Sequence, residues 1–143
     1  MREILFKAKR KDNGEWVEGY YLNVAKINHF ICTGKIKLDG AVKGIIAPEM
    51  YAINATTLCQ FTGLTDKNGK RIWENGVVKC NKRKEGYDLY KVVWRKEFAD
   101  FGVEPLMYKA QYPIGFTLGR TLRGCDYKVI GNIFDNVDLL EVE

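Results

Sequence analysis

Residues 58–80 decide the fold class, and they read Leu58-Cys59-Gln60-Phe61-Thr62-Gly63-Leu64-Thr65-Asp66-Lys67-Asn68-Gly69-Lys70-Arg71-Ile72-Trp73-Glu74-Asn75-Gly76-Val77-Val78-Lys79-Cys80. Apolar and β-branched residues fill three short runs here, and turn residues separate the runs. Asn68-Gly69 and Asn75-Gly76 tolerate the positive φ angles that tight turns need. The stretch therefore predicts strands over residues 58–64, 71–73 and 77–80.

The same alternation of β-prone runs and turns extends in both directions. Near the start, Ile4, Phe6 and Ala8 form a period-two run, and Asn13-Gly14 follows as a hairpin turn. Further strands are predicted over residues 16–22, 30–33, 35–38, 41–46, 87–96, 108–112, 116–118 and 127–134. About ten strands at this spacing indicate an all-β protein of small barrels with hairpin connections.

Helix is scarce in the sequence. β-branched residues interrupt residues 50–58, residues 97–101 suffice for one turn, and Asn136 can cap a short turn that ends at Leu140. We expect one domain over residues 1–143, with an N-terminal β unit over 1–55 and an SH3-like barrel over 56–143. The SH3-like prediction rests on a turn, a Val-rich strand, a charged loop and a strand with Trp94 near its end.

Composition excludes several kinds of active site. The chain has no Ser and a single His, so it has no Ser nucleophile and no site that needs two histidines. We expect His29 to be a hydrogen-bonded structural residue. Cys32, Cys59, Cys80 and Cys125 lie far apart with no Cys-x-x-Cys pair, which favours four free thiols and argues against zinc.

No segment of the sequence indicates secretion or insertion into a membrane. The first eleven residues are charged and lack the apolar core of a signal peptide. No apolar run approaches the ~20 residues of a membrane span. We therefore expect a cytoplasmic protein without a membrane partner.

Carboxylates are the plentiful acid–base groups. Glu97 and Asp100 can share one face, as can Asp135 and Asp138, and paired carboxylates serve glycosidases and metal sites. Solvated acids and a helix cap explain the same pattern. We predict no catalytic residue, metal or cofactor, and a carboxylate- or cysteine-dependent hydrolase is the enzymatic alternative.

Basic residues concentrate in one predicted hairpin, where Tyr87, Tyr90 and Trp94 are interleaved with them. Such a face can contact a nucleic-acid backbone, with strong salt dependence. The candidate contacts are Lys79, Lys82, Arg83, Lys84, Lys91 and Arg95. Because acidic residues share the stretch, a solvated charged hairpin is the alternative interpretation.

Residues 58–74 resemble the signature of the YopX family, small proteins encoded by phages and prophages of bacteria. Residues 2–8 resemble the usual start of the family and residues 129–140 its usual finish, so the resemblance spans the chain. The residues that carry it are Gln60, Thr62, Gly63, Leu64, Asp66, Asn68, Gly69, Ile72, Glu74, Gly131 and Asn132. Where the family continues with Glu-Gly-Asp-Ile-Val, this chain has Glu74-Asn75-Gly76-Val77-Val78, so the Asp is absent.

The resemblance implies a mostly-β fold, a phage or prophage origin and self-association, and it brings no reaction. With a phage or prophage origin, the expected cytoplasm is that of a bacterial host. The partner would be a second copy of the chain or a host or phage protein. Residues 1–127 carry 22 basic and 14 acidic side chains, whereas residues 128–143 carry one and four. Head-to-tail contact between this body and this tail is one route to an oligomer, and deletion of residues 135–143 is then expected to leave a monomer.

Overall fold

The computed structural model describes residues 2–38, 46–80, 89–106, 116–117 and 127–140. Within these ranges it contains the strands β1 Phe6–Arg10, β2 Trp16–Val24, β3 Asn28–Leu38, β4 Ile46–Thr65, β5 Arg71–Trp73, β6 Gly76–Cys80, β7 Leu89–Arg95, β8 Asp100–Pro105, β9 Phe116–Thr117 and β10 Tyr127–Asn132. A 3-10 helix, Val137–Leu139, follows β10. The described strand pairs are antiparallel, so the predicted mostly-β fold is confirmed.

The chain divides into two compact units, Met1–Gln60 and Phe61–Glu143. The boundary falls inside the long strand β4. The sequence placed its sub-unit boundary at residues 55 and 56, within the same strand.

The first unit is a ring of four strands. β1 pairs with β2 on one side and with β4 on the other, and β3 lies between β2 and β4. Ala8, Ile31 and Ile53 are fully buried inside the ring. The partly buried side chains packed on them are Phe6, Val17, Tyr21 and Leu58. Period-two alternation along each strand supplies this inner face.

The second unit contains a sheet with the strand order β10-β6-β7-β8-β9, and the end of β4 pairs there with β5. Its core combines residues from β5, β6, β7, β8 and β10. The buried core residues are Ile72, Val78, Cys80, Tyr90, Val92, Val103 and Tyr127. The Tyr90 and Tyr127 rings meet edge to face at 5.9 Å, a favourable aromatic geometry.

Three strands differ from the sequence prediction. β3 runs through Gly34 without ending, because the ladder absorbs an irregularity between Cys32 and Ile36. β4 includes residues 50–57, which change partner from β3 to β1 near Asn54. The sequence predicts a helical turn over residues 97–101, but β8 begins at Asp100 because Phe101 pairs with Trp94 across the hairpin.

Some predictions fall outside the described residues. They are the strand over 108–112, the polar loop over 81–86, and the strand over 41–46 apart from Ile46. Residues 87 and 88 at the start of the predicted strand over 87–96, residue 118 and Cys125 lie outside them as well.

Candidate interaction surfaces

The Asp66 carboxylate is the centre of the signature turn. Its Oδ1 accepts hydrogen bonds from the backbone N–H groups of Asn68 and Lys70, both at 2.9 Å. Its Oδ2 accepts one from the N–H of Val129, 63 positions away in the chain, also at 2.9 Å. Burial alone would raise the pKa of this carboxyl group, but the three N–H donors hold the pKa below its ordinary value.

The signature turn also covers the outer edge of β10. The Lys67 N–H donates to the Tyr127 carbonyl oxygen, and Asp66 accepts from Val129 two residues further along the same strand. β10 has β6 on its other side. The turn therefore satisfies backbone groups that an edge strand would otherwise leave open, which is a structural role.

The remaining signature residues hold the local backbone. The Thr62 hydroxyl donates to the Ile72 carbonyl oxygen at 2.7 Å and accepts from the Leu64 N–H at 3.2 Å. Gly63 and Gly69 adopt φ angles of 85° and 78°, which favour glycine. Gln60 lies on β4 opposite Phe6, and Glu74 is half-buried in the turn after β5.

Gly131 and Asn132 belong to a second structural turn. The Asn132 side-chain oxygen accepts from the N–H groups of Phe134 and Asp135, both at 2.9 Å. The Asn136 side chain accepts from the Asn132 N–H at 3.1 Å rather than capping the 3-10 helix. A Cβ at Gly131 would lie 2.2 Å from Asn136 Oδ1, so a larger residue there would displace the Asn136 side chain from the Asn132 N–H.

The departure from the family pattern also has a backbone explanation. Asn75, at the position of the family's Gly, adopts a left-handed φ of 63°, which Asn tolerates better than most residues. A Cβ at Gly76, the position of the family's Asp, would lie 2.9 Å from the Trp73 carbonyl oxygen. Asn75-Gly76 therefore matches the backbone conformation of this turn.

Acidic residues lie beside two of the three described members of the predicted basic set. Lys79 lies directly opposite Lys128 across β6 and β10, and both are exposed. Lys91 lies opposite Glu104 on β8. Arg95 donates two hydrogen bonds to Asp100, at 2.8 and 2.6 Å, and this contact raises the pKa of the guanidinium.

Asp100 therefore competes with any phosphate for Arg95. Three further candidates, Lys82, Arg83 and Lys84, lie outside the described residues. Lys79 lies beside Lys128, a basic residue outside the predicted set.

An uncharged surface lies on the outer face of the first unit. Tyr20, Leu22 and Val24 on β2 are 56%, 41% and 50% exposed, and Met50 on β4 is 38% exposed. Strand register aligns Tyr20 with Cys32 and Met50, and Leu22 with Phe30 and Ala52. We call this uncharged set the apolar surface. Seven of its members are Tyr20, Leu22, Val24, Phe30, Cys32, Met50 and Ala52, and the eighth, Asn28, is polar but uncharged.

Sequence reasoning missed the apolar surface. The period-two pattern of Tyr20, Leu22 and Val24 is visible in the sequence, but it normally marks a buried face. Only the register shows that the ring's core is formed by the opposite face, with Ile31 and Ile53 fully buried. The alternate residues therefore remain on the outside.

The described residues include the titratable side chains His29 and Asp135. They contain no group of three His, Cys, Asp or Glu placed to hold a metal ion. His29 Nδ1 lies 2.6 Å from the Tyr21 hydroxyl, with the two rings stacked, as expected of a structural histidine. Asp135 accepts a hydrogen bond from the Asn132 amide.

The cysteine prediction is wrong in one respect. Cys32 and Cys59 are thiols, but Cys80 is disulfide-bonded.

No helix among the described residues is both long and apolar enough to cross a bilayer.

Comparisons with known proteins agree on the fold. The family model described as YopX protein matches residues 5–141. The crystal structure of protein EF1440 from Enterococcus faecalis is similar, with 23% sequence identity and a TM-score of 0.64 over 99% of this chain and 100% of that one. No curated protein matches the chain. At this identity the structural likeness establishes a shared fold.

Proposed function

The chain belongs to the YopX family, and we propose that it is a non-enzymatic accessory protein of a phage or prophage that acts by self-association in the cytoplasm of a bacterial host. The single observation that carries the proposal is the apolar surface. Large exposed apolar areas rimmed by polar residues are typical of protein interaction sites.

Charge favours a second copy of the chain as the partner. The protein carries 23 basic and 18 acidic residues, yet none of the eight residues of the apolar surface is charged. Two identical chains with a net charge of +5 repel one another at charged contacts. An uncharged patch is where they can approach with the least repulsion and bury the most apolar area.

Light scattering after size-exclusion chromatography tests self-association. We expect the native protein to have a mass that is a multiple of 16.4 kDa. The double variant Tyr20→Asp, Leu22→Asp should have the monomer mass, because it would bring charges into the contact. Phe98→Asp is the matched control, since Phe98 is 69% exposed on the second unit. A monomeric native protein, or dissociation by the control alone, would contradict the proposal.

Nucleic-acid binding by the second unit is the second candidate function, favoured by one observation. Lys79 and Lys128 face each other on neighbouring strands, which places two positive charges side by side on one exposed face. With Lys82, Arg83 and Lys84, this pair would supply several phosphate contacts. The expected affinity is in the micromolar range that is typical of non-specific binding.

Fluorescence anisotropy with a short mixed-sequence DNA duplex tests this candidate. We expect binding at low salt that weakens steeply as salt rises. Charge reversal of Lys82, Arg83 and Lys84 should abolish it, whereas reversal of Lys11, Lys26 and Lys35 on the first unit changes the net charge equally and should leave binding in place. Equal loss in both variants would mean that net charge alone attracts the DNA.

A further inference from the structure

β2 has an edge that is open for half of its length. The ladder between β1 and β2 ends at the pair Phe6 and Gly19, whereas β2 continues to Val24 with β3 on its other side. Among the described residues, no strand pairs with this side of β2 beyond Gly19. We call residues 20–24 on this side the open edge.

The hydrogen-bond alternation identifies the backbone groups on the open edge. The Arg10 N–H donates to the Glu15 carbonyl oxygen, so Arg10 directs its backbone groups at β2. Alternate residues of an antiparallel pair do the same, which places Gly19 in a hydrogen-bonded pair with Phe6. Continuing along β2, Tyr21 and Asn23 direct their N–H and C=O groups toward the open edge.

A cleft lies beside the open edge. Where the ladder with β1 ends, residues 2–4 and the residues of β2 line a space of about 540 Å³. Its lining residues are Arg2, Glu3, Ile4, Phe6, Tyr20 and Tyr21. The cleft leaves room beside β2 at the point where the ladder stops.

The open edge lacks the usual protection against strand pairing. Proteins shield edge strands with charged residues, Pro, bulges or a covering loop. Residues 20–24 read Tyr20-Tyr21-Leu22-Asn23-Val24, with no charge and no Pro. The same chain covers β10 through Asp66 and Lys67, so the contrast indicates that the open edge of β2 has a partner strand.

We propose that β2 of one copy pairs antiparallel with β2 of a second copy, with Leu22 on the two-fold axis. This inference rests on the proposed self-association and specifies its geometry. In this register Tyr21 exchanges hydrogen bonds with Asn23 of the partner subunit, and Asn23 does so with the partner's Tyr21. The N–H and C=O groups of Tyr21 and Asn23 in both copies are then all hydrogen-bonded. A shift of the register by one residue in either direction leaves some of these groups unpaired.

The side chains fit the same register. Leu22 lies opposite the partner's Leu22, and Tyr20 lies opposite the partner's Val24, on the outer face in each case. These are the apolar and aromatic cross-strand pairs that stabilise sheets. The apolar surfaces of two copies then join into one continuous surface across the two-fold axis. A second copy is favoured over a charged peptide because the strand complements itself and carries no charge.

Disulfide trapping tests the register. Leu22→Cys is made in a Cys32→Ala background, so that the neighbouring free thiol on the same face is removed. Opposed residues of a non-hydrogen-bonded pair have Cα atoms about 4.5 Å apart, within the range of a disulfide. We expect mild oxidation to convert most of the protein into a covalent dimer on a non-reducing gel.

Matched variants make the test specific. Val24→Cys alone should give no covalent dimer, because Val24 lies opposite Tyr20 of the partner subunit. A mixture of Tyr20→Cys and Val24→Cys proteins should give a covalent heterodimer, and this arm remains informative if Leu22→Cys fails to fold.

Light scattering of the unoxidised protein separates the possible outcomes. An oligomer in which neither Leu22→Cys nor the mixture forms a link would overturn edge pairing and leave self-association standing. A link through Val24→Cys alone would overturn the register. A monomeric native protein would overturn both proposals.

Discussion

At Asp66, three backbone N–H groups converge on one carboxylate. Two of them belong to the turn that contains Asp66, and the third belongs to Val129 in β10. Hydrogen bonds to a charged acceptor are stronger than neutral ones, and a buried donor that loses its acceptor is penalised. One side chain thus forms the signature turn and also attaches it to the strand that the turn covers.

Asp66→Ala should lower the free energy of unfolding by about 3 kcal/mol, because three N–H groups in partly buried hydrogen bonds lose their acceptor. Urea unfolding followed by circular dichroism measures this change. Asp138→Ala is the control, since Asp138 is exposed in the 3-10 helix, and it should have an effect within about 0.5 kcal/mol. Equal effects of the two substitutions would mean that the Asp66 contacts contribute nothing beyond a surface charge.

The contribution of Asp66 should also depend on pH. Its pKa is lower in the folded chain than in the unfolded chain, so the unfolded state binds more protons as the carboxyl group titrates. The stabilisation is therefore fully present above the pKa of the unfolded state, about 3.9, and it is lost as the pH falls through the lower pKa of the folded state. Urea unfolding of the native protein and Asp66→Asn between about pH 7 and pH 2 should show a stability difference that shrinks below about pH 4. A difference that stays constant down to the lowest pH would contradict this assignment.

At the scale of elements, the close contact of β2 with β3 depends on Gly19. A Cβ at this position would lie 2.0 Å from the carbonyl oxygen of Cys32 and 3.0 Å from the Cα of Thr33. Backbone atoms cannot move away as a flexible side chain would. Gly19 therefore fixes the spacing of the two strands that carry most of the apolar surface.

Gly19→Ala should lower the free energy of unfolding by about 3 kcal/mol, the upper part of the range for overpacking. It should also lower the oligomer mass, because the rows of the apolar surface cross from β2 to β3. Urea unfolding and light scattering measure the two effects. Gly14→Ala is the control, because a Cβ at Gly14 meets nothing within 4 Å. Only the left-handed φ of 72° disfavours alanine there, so we expect the free energy of unfolding to fall by about 1 kcal/mol.

Local signals account for the elements that were predicted correctly. Asn13-Gly14 and Asn75-Gly76 mark turns because their backbone preferences act over a few residues. Residues 50–57 of β4 are not predicted as strand because the polar segment Asn54-Ala55-Thr56 is exposed where the strand changes partner. Such a change depends on pairing with β1, more than 40 positions away, and no local pattern encodes it.

The candidate surfaces were predictable to a smaller extent. Asp66 is recognisable as a turn residue, but its bond to Val129 requires the fold. The basic hairpin is predicted from its charge and its interleaved aromatic residues, and the ion pair between Arg95 and Asp100 appears only when β7 and β8 pair. The apolar surface likewise exists only once the ring decides which side of β2 faces the core.

At the scale of the whole molecule, two routes to an oligomer make different physical demands. Head-to-tail contact between the basic body and the acidic tail relies on Coulomb attraction. The end of the chain is also bonded into a turn, since the Asn136 side chain accepts from the Asn132 N–H. Deletion of residues 135–143 would remove this contact together with the charges, so a loss of mass after the deletion would not identify the tail as the interface.

Salt separates the two routes without altering the chain. At 1 M ionic strength the screening length falls to about 3 Å, from about 10 Å at 0.1 M, so exposed charge pairs lose most of their attraction. Burial of apolar area is not screened in this way, and excluded salts such as sulfate strengthen it. We therefore expect the oligomer mass measured by light scattering to be unchanged or higher in concentrated sodium sulfate. The exposed variant Asp138→Lys should behave like the native protein, because it alters the tail and leaves the apolar surface intact. Dissociation at high salt, or by Asp138→Lys alone, would instead assign the interface to the tail, and the open edge of β2 would then remain unpaired in the oligomer.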